Sequence, residues 1–201
     1  MTNLQDKPIV IGTPVEIDKA CEDIRQALAN ITWLSHPYFI AKKFLEKDST
    51  TGKQFFYPET YAPLIGDNQD QSRYPYHRLT PDNDYSGMCF FMIGTGNAVD
   101  NENRPDYITY DVGIIFSVNL SLIDKSKLFQ GIFTRELMSE ARRVIKYNRP
   151  SFDFEINFIS ETDDLQEVYK EFRLDELQAY NRAPLQCFRL NYKITIQELC
   201  I

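Results

Sequence analysis

The sequence predicts an α+β fold, a mainly antiparallel sheet with two or three helices packed on one face and a long loop excursion. Three observations predict it. Residues 107–120 and 188–196 alternate apolar and polar side chains, residues 13–34 carry one apolar stripe at helical spacing, and residues 63–84 hold no sustained period. With 201 residues the chain is expected to form one domain, 1–201, with a loop-rich insertion at about 63–105. Hydrophobic residues at 43% and charged residues at 25% match ordinary globular chains, which excludes disorder and collagen-like repeats as the main class. Lys and Arg number 22 against 29 Asp and Glu, so a net charge of -7 provides no global field for nucleic acid or an anionic bilayer. A local basic patch remains compatible with that balance.

The first helix opens at Thr13-Pro14-Val15-Glu16, where a Thr cap, Pro in the first turn and a Glu reaching back satisfy the free amides. Ile17, Ala20, Cys21, Ile24, Leu28, Ile31 and Leu34 then recur at three- and four-residue steps, predicting a helix to about Leu34 with Glu16, Lys19, Asp23 and Gln26 opposite. Residues 38–47 and 53–61 flank Asp48-Ser49-Thr50-Thr51-Gly52 and read as a β-hairpin. The excursion 63–84 follows, then a short apolar strand at 88–93 and a polar loop through Pro105. Along 107–120 only Ile115 interrupts the alternation, which predicts one apolar face toward a core and one mostly polar face toward solvent or a partner. A second helix is expected over about 134–147, with Leu137, Met138, Ala141, Val144 and Ile145 inside and Arg142, Arg143 and Lys146 in the last turn. Asn148-Arg149-Pro150 stops it. An alternating strand around Phe152, Phe154, Ile156 and Phe158, a helix over about 165–180, and the closing strand at 188–196 complete the order, with no internal repeat.

Motifs for chemistry are sparse. Cys21, Cys89, Cys187 and Cys200 form no C-x-x-C pair, so reduced thiols are expected, although Cys89 or Cys187 can still meet a histidine in space. The two histidines, His36 and His77, lack ligand spacing. His77, Asp82 and Asp84 form the most enzyme-like cluster, two hard carboxylates and an imidazole able to converge on a divalent cation, but Pro81-Asp82-Asn83-Asp84 is also good turn chemistry. Gly94-Thr95-Gly96-Asn97 follows a strand but lacks the third glycine or Gly-Lys-Ser/Thr of a phosphate cradle. No G-x-S-x-G elbow is present. No catalytic residue, metal ligand or cofactor is therefore assigned. Arg142, Arg143, Lys146 and Arg149 suit a helix C-terminus as well as they suit phosphates, and no aromatic platform of recognisable spacing accompanies them. Phe55, Phe56, Tyr57, Tyr61, Tyr74, Tyr76 and Tyr85 concentrate in the hairpin and excursion, a composition that suits a protein interface.

The opening run has neither the basic start nor the apolar stretch of a secretory leader, so a soluble, cytoplasmically made protein is expected. The longest nearly apolar run, 112–120, is broken by Ser117 and Asn119 and falls far short of the roughly 20 apolar residues a bilayer requires. No membrane partner is expected.

The element order, and in particular IDKACEDIRQALANI, the 107–120 strand leading to FTRELMSEARRVI, and the closing FRLNYKITIQEL, resembles the ring-forming neck and tail-terminator proteins of tailed bacteriophages, with wording similar to neck-ring proteins of crAss-like phages. The resemblance covers most of the chain in element order and rests on no diagnostic motif. It implies a non-catalytic virion protein of the head-to-tail connector, assembled with itself into a ring, with portal, connector or tail proteins as neighbours and DNA passing through the channel without sequence-specific binding. Head-to-tail contacts that close on rotation make rings, and a net negative chain suits a conduit through which DNA slides. Two other readings remain open: a small metal-dependent hydrolase or nuclease using His77, Asp82 and Asp84, and a monomeric adaptor binding one host protein through its tyrosines.

Overall fold

The computed structural model describes residues 16–61, 76–98, 107–148, 153–174, 180 and 182–197, with the backbone alone at 61, 76, 77, 95, 97 and 98. Its main sheet contains β1 (His36–Ile40), β5 (Gly87–Ala98), β6 (Tyr107–Asn119), β7 (Phe154–Thr162) and β8 (Leu185–Gln197), in the order β1-β5-β6-β8-β7. Only β1 with β5 is parallel, so the sheet is antiparallel across β5, β6, β8 and β7. A smaller antiparallel sheet comprises β2 (Lys42–Lys47), β3 (Gln54–Tyr61) and β4 (Tyr76–Arg78). The α+β class holds.

Two helices cover one face of the main sheet. Helix α1 (Glu16–Leu28) buries Ile17, Ala20, Cys21, Ile24 and Leu28. Helix α3 (Phe133–Lys146) buries Phe133, Leu137, Met138, Ala141 and Ile145. Both stripes meet Val112, Ile114 and Phe116 of β6 and Phe188, Leu190 and Ile194 of β8 in one apolar core. At its centre the Phe116 and Phe188 rings stack with centroids 4.6 Å apart, and Trp33 lies against both at 6.3 and 6.4 Å. The indole N–H of Trp33 donates to Glu140 Oε2 at 2.8 Å, so the segment after α1 is tied to α3 by a bond as well as by packing.

The first helix is shorter than its periodicity predicts. The amide side chain of Asn30 donates to the carbonyls of Gln26 and Ala27, at 3.1 and 3.2 Å, and so terminates α1 at Leu28. Ile31 and Leu34 nevertheless remain in the core, carried by tight turns instead of by a helix. The predicted start at Thr13-Pro14-Val15 lies outside the described residues. The expected strand over 38–47 is two strands. At Ala41, whose N–H donates to Phe91 O at 2.8 Å, the chain leaves the main sheet, and β2 pairs instead with β3 from Lys42↔Glu59 to Lys47↔Gln54. The predicted hairpin therefore exists, with Asp48 Oδ1 accepting from the Thr50 and Thr51 amides in its turn.

The helix expected over 165–180 shrinks to one turn, α4 (Leu165–Val168). Tertiary pairing ends it. Arg173 exchanges backbone hydrogen bonds with Phe56 of β3, at 2.9 and 3.1 Å, and an extended backbone is needed for that exchange. Residues 175–179 lie outside the described residues. The outward face predicted for β6 is also covered, since residues 112–119 are all buried. Tyr38, Tyr57, Leu79, Phe90, Ile115, Val168 and Tyr169 form a second core there, built from the small sheet and the α4 segment. Within the loop-rich region expected at 63–105, β4 and β5 supply order, while 62–75 and 99–106 lie outside the described residues.

On this second face Arg189, 4% exposed, lies across Gly113 of the neighbouring strand, where any Cβ would overlap the guanidinium. Replacing Gly113 by Ala should cost about 1–3 kcal/mol by overpacking, measured by urea denaturation. An unchanged midpoint would show that the guanidinium can retreat without loss.

Candidate functional site

The sequence-selected residues scatter. His77 contributes its backbone to β4 opposite Thr60, and its side chain is outside the described residues. Asp82 and Asp84 are exposed, and Asp82 Oδ1 accepts the Asp84 amide at 2.9 Å, an Asx turn. Among the described residues no three His, Cys, Asp or Glu side chains converge as a metal site. Gly94 to Asn97 belongs to β5 instead of forming a free phosphate loop. Gly96 pairs with Tyr110, whose ring lies 2.5 Å from where a Cβ would stand, so this glycine admits a cross-strand aromatic ring. His36 is half-buried, its Nδ1 2.9 Å from Ser35 Oγ and its ring 3.9 Å from that of Tyr85.

Of the aromatic residues expected at an interface, Tyr57 and Phe55 turn into the second core. Tyr57 is buried beneath the Arg78 guanidinium, which stands 3.9 Å from the ring centroid and pairs with Glu46. Phe55 and Phe56 are half-buried in the small sheet. The reason is that this sheet must cover the second face of β5 and β6, and Tyr57 with Phe55 packed against it contributes to that core, while Phe56 alternates to the other face of β3. Tyr74 and the side chains of Tyr61 and Tyr76 lie outside the described residues. The basic helix end divides: Arg142 pairs with Glu161 at 2.9 Å, Arg143 and Lys146 are exposed, and Arg149 lies outside the described residues.

A cleft of about 300 Å³ opens on the second face, with Asp111, Ser160, Lys170, Glu171 and Arg189 beside apolar Met92, Val112 and Ile159. Its buried cation is fully engaged. Arg189 Nη1 and Nη2 grip Glu171 at 2.5 and 2.7 Å, Nη1 also donates to Val168 O, and Nε donates to Asn191 Oδ1 at 2.7 Å. Burial alone would raise the Glu171 carboxyl, but hydrogen bonds from Arg189 and its charge outweigh that and hold it below its ordinary value. This geometry makes a clamp between α4 and the sheet. A glycine inside the strand 107–120 was the one sequence signal of it.

The surface features that stand out are apolar. All six residues of β2 are exposed, with Phe44 and Leu45 each 48% exposed on a strand that, among the described residues, is bonded along one edge. Between β6 and α3, the single turn α2 (Leu120–Ile123) is capped by Asn119, and a 3-10 turn (Lys125–Lys127) is capped by Asp124. Further backbone bonds, Gln130 to Lys127 and Phe133 to Gln130, hold the remainder of this connection at 2.9 and 3.0 Å. On that bonded framework Leu122, Phe129 and Ile132 are 52%, 88% and 61% exposed. The sequence hides them because an apolar residue in an irregular connection has no period against which to judge its direction.

The thiols are in the opposite situation. Cys21, Cys89 and Cys187 are buried, and burial pushes all three up, Cys187 to about 12. With a thiol reagent at mildly alkaline pH, the folded protein should leave these three unreacted and release them only on unfolding. Fast labelling of any of them in the native state would contradict the packing. Glu171 supplies a pH test. Its folded value is lowered, so its contribution is complete above about 4.3, the unfolded Glu value, and is lost as pH falls through the lower folded value. Glu171→Gln should therefore lower stability at neutral pH and flatten the acid decline in denaturation midpoints, and an equally steep decline would rule Glu171 out as its source.

No protein-family model matches this chain, and neither does any curated protein or solved structure.

Proposed function

We propose that the chain is a non-catalytic structural protein that assembles with itself, in the head-to-tail connector of a tailed-phage virion, as a neck or tail-terminator ring around the DNA channel. The observation that carries this reading is the outward display of Phe129, Ile132 and Leu122 on a backbone-bonded connection, together with Phe44 and Leu45 on the hairpin. Isolated exposed apolar residues are ordinary, but three in one short, ordered connection form a ready contact surface. Their ordering lowers the entropy that a contact must overcome. Two different elements display apolar side chains, as a heterologous, ring-closing contact requires, whereas a two-fold dimer needs only one self-complementary patch. The outer edges of β2 and β7 add backbone groups that no strand among the described residues pairs, able to extend a neighbour's sheet. Portal, connector or tail proteins would meet the ring faces, and DNA would pass without sequence-specific contacts. The element order resembling phage neck and terminator rings supplies the virion setting.

Native mass spectrometry over a wide concentration range, with and without divalent metal, should show a closed oligomer that needs no metal. Phe129→Asp with Ile132→Asp removes two apolar contacts worth about 2 kcal/mol each, so association should weaken by roughly a thousandfold while the monomer stays folded. A wild-type chain that remains monomeric throughout would overturn the self-assembly reading, and tight binding of one metal ion would turn attention to His77, Asp82 and Asp84.

A further inference from the structure

A second groove, about 610 Å³ in volume, runs along the helix-covered face between the C-terminal half of α3 and the edge strand β7. Arg142, Arg143, Lys146, Tyr147, Phe158 and Tyr192 line it. Three independent properties meet there. The first is charge: Arg143 and Lys146 have no carboxylate partner among the described residues, in a chain whose net charge is -7. The helix dipole explains a preference for cations in this turn, but it does not explain why two of them are left without a counterion beside a groove.

The second property is aromatic surface. Tyr147 is 71% exposed and Phe158 40% exposed, and each already receives a cation, Lys146 at 5.5 Å from the Tyr147 centroid and Arg142 at 5.2 Å from that of Phe158. Neither ring is adjacent in sequence to a recognisable binding motif, and Phe158 reaches α3 only because β7 forms the sheet edge beside it. The third property is an orphan. Tyr192 is 4% exposed, packs edge-on against Phe158 with centroids 5.6 Å apart, and its hydroxyl has no hydrogen-bond partner among the described residues. A buried hydroxyl left in that state is costly, and an acceptor brought into the groove would relieve it.

We propose that this groove binds single-stranded nucleic acid, with backbone phosphates on Arg143 and Lys146 and an unpaired base on the Phe158 ring in place of the half-buried Arg142 side chain. Phosphates match cations that lack counterions, and bases match exposed ring faces without regard to sequence. An acidic peptide would satisfy the cations alone and would leave the two rings to weaker contacts. In a duplex the base faces are stacked on one another, so the rings favour a single strand. The inference goes beyond ring assembly and does not depend on it.

The test is fluorescence anisotropy with a labelled oligothymidylate of about 20 nucleotides at low salt, alongside a duplex of equal length and polyglutamate. The single strand should bind best and weaken as salt rises. Arg143→Glu with Lys146→Glu, two exposed positions, should cost about tenfold or more and reduce the salt dependence. Phe158→Leu should weaken the single strand about tenfold with little effect on any duplex binding, and Tyr192→Phe should weaken it a few-fold. Circular dichroism melts confirm that each variant is folded. The proposal fails if the single strand does not bind, if the charge reversals leave binding unchanged, if duplex binds as tightly and Phe158→Leu is silent, or if polyglutamate competes as an equal.

Discussion

From residue 112 to 119 the strand β6 has no face left to solvent, and that requirement organises the rest of the molecule. A sheet strand buried on both sides must be covered twice, and a chain with one helix stripe available for each of α1 and α3 has spent both on the same face. The opposite covering has to come from irregular material. The chain provides it by placing residues 42–47, 54–61 and 76–78 in a second, smaller sheet and by wedging the α4 segment beside it. The mixed order of the main sheet follows, because β1 and β5 are then joined by a long crossover and lie parallel.

Two buried guanidinium groups hold these coverings in register. Arg25 on α1 grips Glu22 at 2.6 and 2.7 Å and points its third nitrogen at the Pro37 carbonyl, linking the first helix to β1. Arg189 does the corresponding work on the other face, binding Glu171, Val168 and Asn191 above Gly113. Such pairs add little net stability compared with apolar packing, yet an isolated charge left by losing one partner costs about 3–5 kcal/mol. A misdocked covering would strand a buried cation.

With the core closed on both faces, what remains outside gains meaning. Phe129, at 88% exposed, is not needed to cover either core, and neither are Ile132, Phe44 and Leu45. A framework stabilised elsewhere can hold such side chains outward, ready for a second surface. The α3 and β7 groove is of a different kind, lined by cations and aromatic rings, and lies on different elements from the exposed apolar side chains.

The sequence by itself determined the local period of each strong element: the apolar stripes of α1 and α3, the alternation of β6 and β8, and the turn at Asp48, because these rest on residues close together in the chain. It also limited the chemistry, through dispersed cysteines and histidines without ligand spacing. Tertiary structure decided where those periods stop and what surrounds them. Asn30 ended α1 by capping it, Arg173 unwound the third helix by pairing with Phe56, and the small sheet buried the face of β6 that alternation assigned to solvent. The same level decided the candidate surfaces. Phe158 and Tyr192 join Arg143 only across strand and helix, and Phe129 faces outward only because both cores are already filled, facts of packing that no spacing along the chain encodes.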